Sequence, residues 1–184
     1  MAWTIDPSHS QIQFAVRHMM ISNVRGRFED FSGTVDFNEN DLSTLAVDVS
    51  IDTASINTRD EKRDEHLRSA DFFNSAEFPT MTFKSTGVEK VNDSNLKLHG
   101  NLTIMGTTKP VTLDIEYAGT VVSPWGTTSA GFSASAKINR KEWGLVWNAT
   151  LEAGGLLVGE DIKIELELEL VKEQVAVEAE AEAA

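Results

Sequence analysis

Apolar and polar residues alternate along most of this chain with a period of two. Successive side chains of a β-strand point to opposite faces, so each such run predicts a strand with one apolar and one polar face. The clearest run is 161–171, where five aliphatic residues alternate with Lys and Glu. The other runs are Ile12/Phe14/Val16, Phe28/Phe31/Val35/Phe37 with a bend near Gly33, Val47/Val49/Ile51, Met81/Phe83, Leu96/Leu98, Leu102/Ile104, Val111/Leu113/Ile115/Tyr117 and Phe132/Ala134/Ala136/Ile138.

One segment interrupts this alternation. Residues 58–67 are highly charged, contain no Gly or Pro, and begin Thr58-x-x-Glu61, the spacing of a capping box. The segment therefore predicts a short helix over residues 59–67, followed by irregular chain that ends at Pro79. Residues 172–184 are rich in Val, Ala and Glu without a wide apolar stripe, which predicts a frayed acidic tail.

About eight amphipathic antiparallel strands must bury their apolar faces without a layer of helices. Two architectures achieve this, a sandwich and a closed barrel, and a barrel of about eight strands encloses room for side chains or one small ligand. Ala134 and Ala136 alternate with Phe132 and Ile138, which would leave space in such a barrel. Neighbouring aromatic rings could equally fill that space, so a ligand cavity and a packed core both remain open.

The net charge of the chain limits the classes of molecule that it can bind. The 184 residues include 16 Lys+Arg against 29 Asp+Glu, a net charge of −13, and this repels phosphate backbones and anionic lipid surfaces. Nucleic acid is therefore excluded, and general membrane binding is not expected. Part of the excess lies at the end of the chain, since residues 160–184 have nine acids against Lys163 and Lys172.

The composition and the first residues of the chain indicate which chemistries are excluded and where the protein is expected to be located. The chain has no cysteine, which excludes disulfides, thiolate nucleophiles and cysteine-ligated metals. No stretch approaches the 18 apolar residues of a membrane-spanning helix, and the opening Met-Ala-Trp-Thr-Ile-Asp-Pro is unlike a secretory signal. We expect a soluble cytoplasmic protein, or a periplasmic or extracellular one if a leader has been removed.

Candidate chemistry is sparse. The sequence contains no Gly-x-Ser-x-Gly, no His-Glu-x-x-His and no phosphate-binding glycine loop, and its four histidines are too scattered to indicate a metal site. His18 continues the apolar face of its strand, where a histidine is more often a hydrogen-bonded core residue than a ligand or base. The arginines of 59–68 fit a solvated helix, or one of them turns inward at a barrel mouth to meet an anionic or carbonyl headgroup.

Five sequence blocks in order resemble the YceI family of polyisoprenoid-binding, lipocalin-like barrel proteins. They extend from Trp3 to Val171, nearly the whole chain. The blocks are Trp3-Thr-Ile-Asp-Pro-Ser-His-Ser10 with Phe14-x-Val16-x-His18-Met19; Arg25-Gly-Arg-Phe28 with Phe31-x-Gly33; Asp64-Glu-His-Leu-Arg-Ser-Ala-Asp-Phe-Phe73 with Phe78-Pro79 and Thr82-Phe83-Lys84-Ser85-Thr86; Gly100-Asn-Leu-Thr-Ile-Met-Gly106-Thr-Thr-Lys-Pro110; and Asn139-Arg-Lys-Glu-Trp-Gly144. The resemblance implies an all-β, eight-stranded antiparallel barrel over residues 1–171 with a short inserted helix, and an isoprenoid-type amphiphile in an apolar tunnel. It does not imply catalysis. Family members often have a secretory leader, which this sequence lacks.

We therefore expect a binding or carrier protein for a long-chain isoprenoid lipid, either a polyprenyl or an isoprenoid-quinone type. Alternatives are an enzyme that uses His18 as general base, and a packed barrel that serves as a protein-interaction module. We expect no metal and no cofactor other than the lipid, and a homodimer stays open. The polar end of the ligand should lie near His18, Arg59, Arg63 or His66 rather than the acidic tail of 172–184. The residues expected to face the apolar lumen are Phe14, Val16, Val49, Ile51, Phe83, Ile104, Leu113, Ile115 and Phe132.

Overall fold

The computed structural model describes residues 2–151 and 155–172, and these are mostly antiparallel β-strand with one α-helix. Within these ranges no helix has the length and apolar character needed to cross a membrane. Short 3-10 turns cover Pro7–His9, Thr53–Ser55 and Arg140–Trp143. The strands and the helix are β1 Ala2–Ile5, β2 Gln11–His18, β3 Ser22–Phe28, β4 Phe31–Asn38, β5 Asp41–Asp52, β6 Ile56–Asn57, α1 Glu61–Arg68, β7 Thr80–Lys90, β8 Asn95–Ile104, β9 Thr107–Val122, β10 Thr128–Asn139 and β11 Val158–Lys172.

The strands form one closed sheet. Its hydrogen-bonded order is β1-β4-β5-β7-β8-β9-β10-β11-β2-β3-β6, and β1 also pairs with β11. Because β1 and β2 both pair with β11 on the same side, they form one interrupted strand. On the other side, β3 pairs with β2 and β4 with β1, so β3 and β4 form a second interrupted strand. Likewise β6 pairs with β3 and β5 with β4, so β5 and β6 form a third. The eleven segments thus make an eight-stranded antiparallel barrel. This confirms the fold class predicted from the alternation and the resemblance.

Ser10 spans the interruption between β1 and β2. Its hydroxyl donates to the carbonyl of Glu169 at 3.3 Å and accepts from the amide of Glu169 at 3.0 Å. The buried Ser10 side chain therefore bonds both backbone groups of Glu169, whose carbonyl also accepts from the Asp6 amide at 2.9 Å, and the ladder to β11 remains hydrogen-bonded across the break.

The barrel has two different ends. The α1 end, so named here, holds α1, the β2–β3 turn and the connection between β10 and β11. The Trp3 end holds the start of β1, the β4–β5 and β9–β10 turns and the last residue of β11, Lys172. Since the strands run up and down in order, each residue's place along its strand fixes the end to which it is nearer.

An aromatic cluster fills the Trp3 end. The ring of Phe37 stacks on Trp3 with centroids 4.8 Å apart and meets the edges of Phe132 at 5.2 Å and Tyr117 at 6.2 Å. Trp3, Phe37 and Phe132 are buried, and the rings come from four different strands. Aromatic pairs at these separations contribute beyond their buried area, so this cluster ties the strands together and closes this end.

Two local predictions were wrong. The predicted bend at Gly33 lies instead at residues 29–30, between β3 and β4, while Gly33 pairs with Val49 inside β4. The helix was predicted over 59–67 and spans Glu61–Arg68, and its N-cap is Asp60 rather than Thr58. The capping box fails because the Thr58 hydroxyl donates to the buried Asp64 carboxylate at 2.6 Å. Residues 173–184, most of the predicted tail, lie outside the described residues.

The aromatic cluster gives a test of stability. Trp3→Ala should lower the free energy of unfolding by about 3–5 kcal/mol, because Trp3 is 1% exposed and its removal leaves a cavity. Trp125→Ala removes the same side chain from a site that is 87% exposed, and should change it by less than about 0.5 kcal/mol. Urea unfolding of both variants measures the difference, and equal losses would contradict the assignment of the cluster.

Candidate functional site

The eight strands surround an elongated space, which is lined from His18 near the α1 end to Leu170 near the Trp3 end. Its volume is about 540 Å³, within the range of cavities that hold small organic ligands. Its wall is formed mainly by aliphatic and aromatic side chains from the inner faces of the strands. All the residues predicted to face the lumen lie on this wall: Phe14, Val16, Val49, Ile51, Phe83, Ile104, Leu113, Ile115 and Phe132. Their contact with a ligand remains a prediction.

Two glycines keep large rings out of the middle of the lumen. A Cβ atom built on Gly26 would lie 2.4 Å from Cζ of Phe14, and one on Gly100 would lie 2.3 Å from Cζ of Phe83. The two rings therefore pack directly over glycine backbone on the neighbouring strand. Ala134 also lies on the wall, as expected of a small residue that leaves space, whereas Ala136, of which the same was expected, does not line the cavity. The interior is thus a cavity rather than the fully packed core that the sequence left open.

Polar wall residues lie at the α1 end, apart from Gln13 midway along β2. Of the residues predicted to meet a headgroup, His18, Arg63 and His66 are on the wall. Arg59 is exposed and is not part of the wall, because it precedes the Asp60 N-cap of α1 in a turn with a positive φ of 64° and does not belong to a strand. The alternation missed further polar wall residues, which are Arg17, Thr58, Asp60, Lys62 and Arg140.

A buried network holds Arg63 in place. Its guanidinium donates through Nε to the Thr58 hydroxyl and through Nη2 to the Thr58 carbonyl, both at 2.8 Å. The Asp64 carboxylate accepts from the Thr58 hydroxyl at 2.6 Å and from the Thr58 amide at 2.9 Å. Thr58 and Asp64 are buried. The position of the Arg63 fork is therefore fixed, and its remaining N–H groups can donate to an oxygen of a ligand.

His66 connects α1 to the connection between β10 and β11. Its ring meets the edge of Trp147 with centroids 4.6 Å apart and that of Phe72 at 5.1 Å. Its Nε2 lies 2.9 Å from an Asp71 carboxylate oxygen, which orients the ring. His66, Phe72 and Trp147 all line the cavity, so these three rings form part of its cover at the α1 end.

Arg140 is a buried cation on the same part of the wall. It is 3% exposed, and its guanidinium donates to backbone carbonyls of the β10–β11 connection and of β11: Leu145 at 2.6 Å, Gly159 at 2.8 Å, Trp147 at 3.0 Å and Val158 at 3.3 Å. Burial lowers the pKa of Arg140, and the nearby charge of Glu160 opposes this effect. The Glu160 carboxylate itself pairs with Lys141 at 2.7 Å, and this contact holds the Glu160 pKa below its usual value.

Arg140 was present in one of the sequence blocks, yet nothing local marked it as buried. The adjacent Asn139 caps the 3-10 turn Arg140–Trp143 through a bond from the Lys141 amide, and Trp143 Nε1 donates to the Leu102 carbonyl at 2.9 Å. These contacts turn the Arg140 side chain toward the barrel. The only sequence signal for the burial of Arg140 was its place in the block Asn139-Arg-Lys-Glu-Trp-Gly144, whose Asn139, Arg140 and Trp143 make these contacts.

One group of described side chains could ligate a cation. The ligand atoms of Asp6, His9 and Glu169 lie within 4.8 Å of one another, and none of these residues lines the cavity. They already bond to each other: His9 Nδ1 is 2.8 Å from Asp6, and hydrogen bonds from Ser8 and His9 lower the pKa of Asp6 to about 2. The prediction of no metal site is not tested by this arrangement.

The cavity and its polar end define what the site can hold. Its apolar wall favours a hydrocarbon chain, since each buried CH₂ contributes about 0.8 kcal/mol. A polar group deep in the lumen would lack partners, at a cost of about 1–3 kcal/mol. At the α1 end, by contrast, Arg63 and His18 supply polar groups, while Arg140 donates to four backbone carbonyls and contributes its buried positive charge. The geometry therefore suits an amphiphile with its polar end at the α1 end.

Comparisons with known proteins agree with this barrel. The family model described as a YceI-like domain matches residues 3–170. A UPF0312 protein of Staphylococcus aureus (strain USA300) is 40% identical over 164 residues, which are 89% of this chain and 93% of the relative.

Solved structures show the same fold. A YceI protein of Campylobacter jejuni is 34% identical with a TM-score of 0.74, over 86% of this chain and 90% of that one. A polyisoprenoid binding domain from Saccharophagus degradans, implicated in plant cell wall breakdown, has a TM-score of 0.65 at 14% identity, over 91% of this chain and 97% of that one. The second likeness concerns the fold alone.

The glycine contacts give a test of the cavity. In Gly26→Ala the new Cβ would displace the Phe14 ring into the lumen, so the variant should bind a long-chain apolar fluorescent probe several-fold more weakly than the parent protein. Gly87→Ala is the matched control, because no atom lies within 4 Å of its added Cβ. Probe titration of the two folded variants decides the matter, and unchanged affinity in Gly26→Ala would argue against binding in this lumen.

Proposed function

Since the chain belongs to the YceI-like domain family, we propose that it binds a long-chain isoprenoid lipid inside the barrel and acts as its carrier. The proposal covers amphiphiles of the polyprenyl and isoprenoid-quinone types. It takes support from the fold that the chain shares with the polyisoprenoid binding domain of Saccharophagus degradans and from the shape and polarity of its own cavity.

The observation on which the proposal rests is the uneven polarity of the cavity. Its apolar wall runs from the aromatic cluster at the Trp3 end to the polar residues at the α1 end. A prenyl chain in this lumen gains free energy with every buried CH₂ and needs no polar contact along its length. An elongated ligand with one polar end matches this arrangement better than a compact polar substrate does.

Selectivity would then arise at the α1 end. A phosphate or quinone oxygen accepts hydrogen bonds, and the fork of Arg63 is held by Thr58 in a fixed position on the wall. His18 and Arg140 lie on the same part of the wall. Arginine donates through two parallel N–H groups, so a polyprenyl phosphate would receive a stronger contact there than a neutral quinone.

Lipid binding should be visible as stabilisation of the protein. Organic extraction of the purified protein followed by mass spectrometry should identify a bound isoprenoid lipid, because apolar ligands of high affinity remain bound during purification. Adding isoprenoid quinone or polyprenyl phosphate to the delipidated protein should raise its melting temperature, since a ligand at 100 times its Kd stabilises the folded state by about 2.7 kcal/mol. Absence of a shift with every long apolar amphiphile would refute the proposal.

Replacing the cations at the α1 end tests the position of the headgroup. Arg63→Ala should weaken binding of a polyprenyl phosphate about tenfold or more, because a hydrogen bond to a charged group is worth about 1.5–3 kcal/mol. The same variant should change the affinity for a neutral quinone much less. His18→Ala tests the second polar wall residue in the same way.

Arg59→Ala is the matched control for these variants. It removes an identical guanidinium from a residue that does not line the cavity, so both affinities should stay unchanged. The melting temperature of Arg63→Ala without ligand, compared with that of the parent protein, shows how far loss of the Thr58 contacts destabilises the fold. This separates a loss of binding from a loss of stability. Equal affinities in all three variants, for both ligands, would mean that the headgroup lies elsewhere.

A further inference from the structure

The β2–β3 hairpin is basic although the chain is strongly acidic. Residues 11–28 contain Arg17, Arg25 and Arg27 and no Asp or Glu, whereas the whole chain has a net charge of −13. The side chains of these three arginines are exposed, and Arg27 pairs with Glu29 at 3.0 Å. The hairpin therefore presents positive charge locally, which the total charge of the chain conceals.

Large apolar side chains are exposed at the tip of this hairpin. Ile21 is 78% exposed, and Met19 and Met20 are also exposed. The Met19 amide donates to the Leu157 carbonyl at 2.8 Å, which fixes the tip beside the β10–β11 connection. Val146 and Leu156 are exposed on that connection. Exposed apolar residues grouped at one end of a protein indicate a contact surface more strongly than the same residues scattered singly.

The backbone at the tip is strained. Met19 and Met20 have φ of 51° and 62°, the left-handed region that Asn and Gly adopt in two-residue hairpin turns. Arg17 Nη2 donates to the Met20 carbonyl at 3.0 Å and supports this conformation. Two methionines at this turn are unfavourable for the local backbone. The Met20 sulfur packs over Gly155 of the β10–β11 connection, where an added Cβ would lie 2.3 Å from it, and both methionines keep exposed surface at the tip. Their flexible, polarizable side chains suit an irregular apolar surface.

We propose that the β2–β3 hairpin docks on an anionic lipid surface, with the tip residues Met19, Met20 and Ile21 inserted and the arginines against the headgroups. The combination of an apolar tip with flanking cations matches such a surface in both polarity and charge. The hairpin lies at the α1 end, so docking directs the polar end of the cavity toward the bilayer. The acids Asp60, Glu61 and Glu65 of α1 and its N-cap are exposed at the same end, so docking has to place the hairpin, and not α1, against the headgroups.

This inference goes beyond the proposed function, because docking is measurable whether or not a lipid enters the cavity. The probe is a vesicle of phosphatidylglycerol, with a vesicle of phosphatidylcholine for comparison, and neither contains an isoprenoid. The full chain should co-sediment with phosphatidylglycerol vesicles, more weakly at high salt and more weakly with phosphatidylcholine. If the protein does not co-sediment with the vesicles but an isoprenoid lipid is extracted from it, docking alone is refuted. If the protein co-sediments but no isoprenoid lipid is bound, only the proposed ligand is refuted.

Substitutions at the two ends of the barrel test the orientation. Ile21→Ser should weaken co-sedimentation about tenfold or more, since it removes a large apolar side chain from the inserted tip. Val122→Ser is the matched control, because Val122 is 68% exposed beside the β9–β10 turn at the Trp3 end. Arg25→Gln should weaken binding about fivefold, and Lys97→Gln on β8 should not.

Results of two kinds, one in the vesicle assay and one in oligomeric state, would overturn the proposal. The first is absence of binding to phosphatidylglycerol vesicles, or an equal loss in Ile21→Ser and Val122→Ser. The second is a change of oligomeric state in Ile21→Ser, measured by analytical ultracentrifugation, with vesicle binding unchanged. That result would assign the tip to a second copy of the chain.

Discussion

The pairing of β11 with both β1 and β2 closes the sheet, and the cavity depends on that closure. Without it the inner faces of the strands would need a second layer, and each edge would expose unpaired backbone groups. Ser10 maintains the hydrogen bonding of β11 where the paired strand is interrupted. Closure around eight strands leaves more space than the inward side chains fill, particularly where Phe14 and Phe83 pack over glycines. The space for a ligand is thus a consequence of how the sheet closes.

The two ends of the barrel differ in polarity. At the Trp3 end, the described wall residues nearest the stacked rings of Trp3 and Phe37 are the apolar Val35, Phe132 and Leu170. At the α1 end, a buried network through Thr58 orients Arg63, and backbone carbonyls hold Arg140. An amphiphile in the lumen therefore has one favourable direction. The exposed hairpin tip lies at this same end, so the proposed headgroup contacts and the proposed contact with a lipid surface fall in one region.

The local pattern of the sequence predicted the strands and their inward residues because strand alternation is a local property, while the choice of a barrel over a sandwich came from the resemblance to the YceI family. The nine residues expected to face the apolar lumen lie on the cavity wall, whereas Phe31, Phe37, Leu96 and Tyr117 of the same apolar runs do not. The interruption at residues 29–30 could not be predicted in the same way, since it depends on which strand lies beside β3 and β4. Arg140 shows the same limit. Its burial depends on carbonyls up to 19 residues away along the chain, and no periodicity records such contacts.

The most direct test of the central claim, that a prenyl chain lies inside the barrel, is methyl NMR of the protein bound to an isoprenoid quinone. Intermolecular nuclear Overhauser effects should connect the prenyl chain to the inward methyl groups of Ile104, Leu113 and Ile115. The exposed methyl groups of Val121 and Val122 should show none. Effects confined to exposed methyl groups would place the chain on the outside of the barrel and contradict the account.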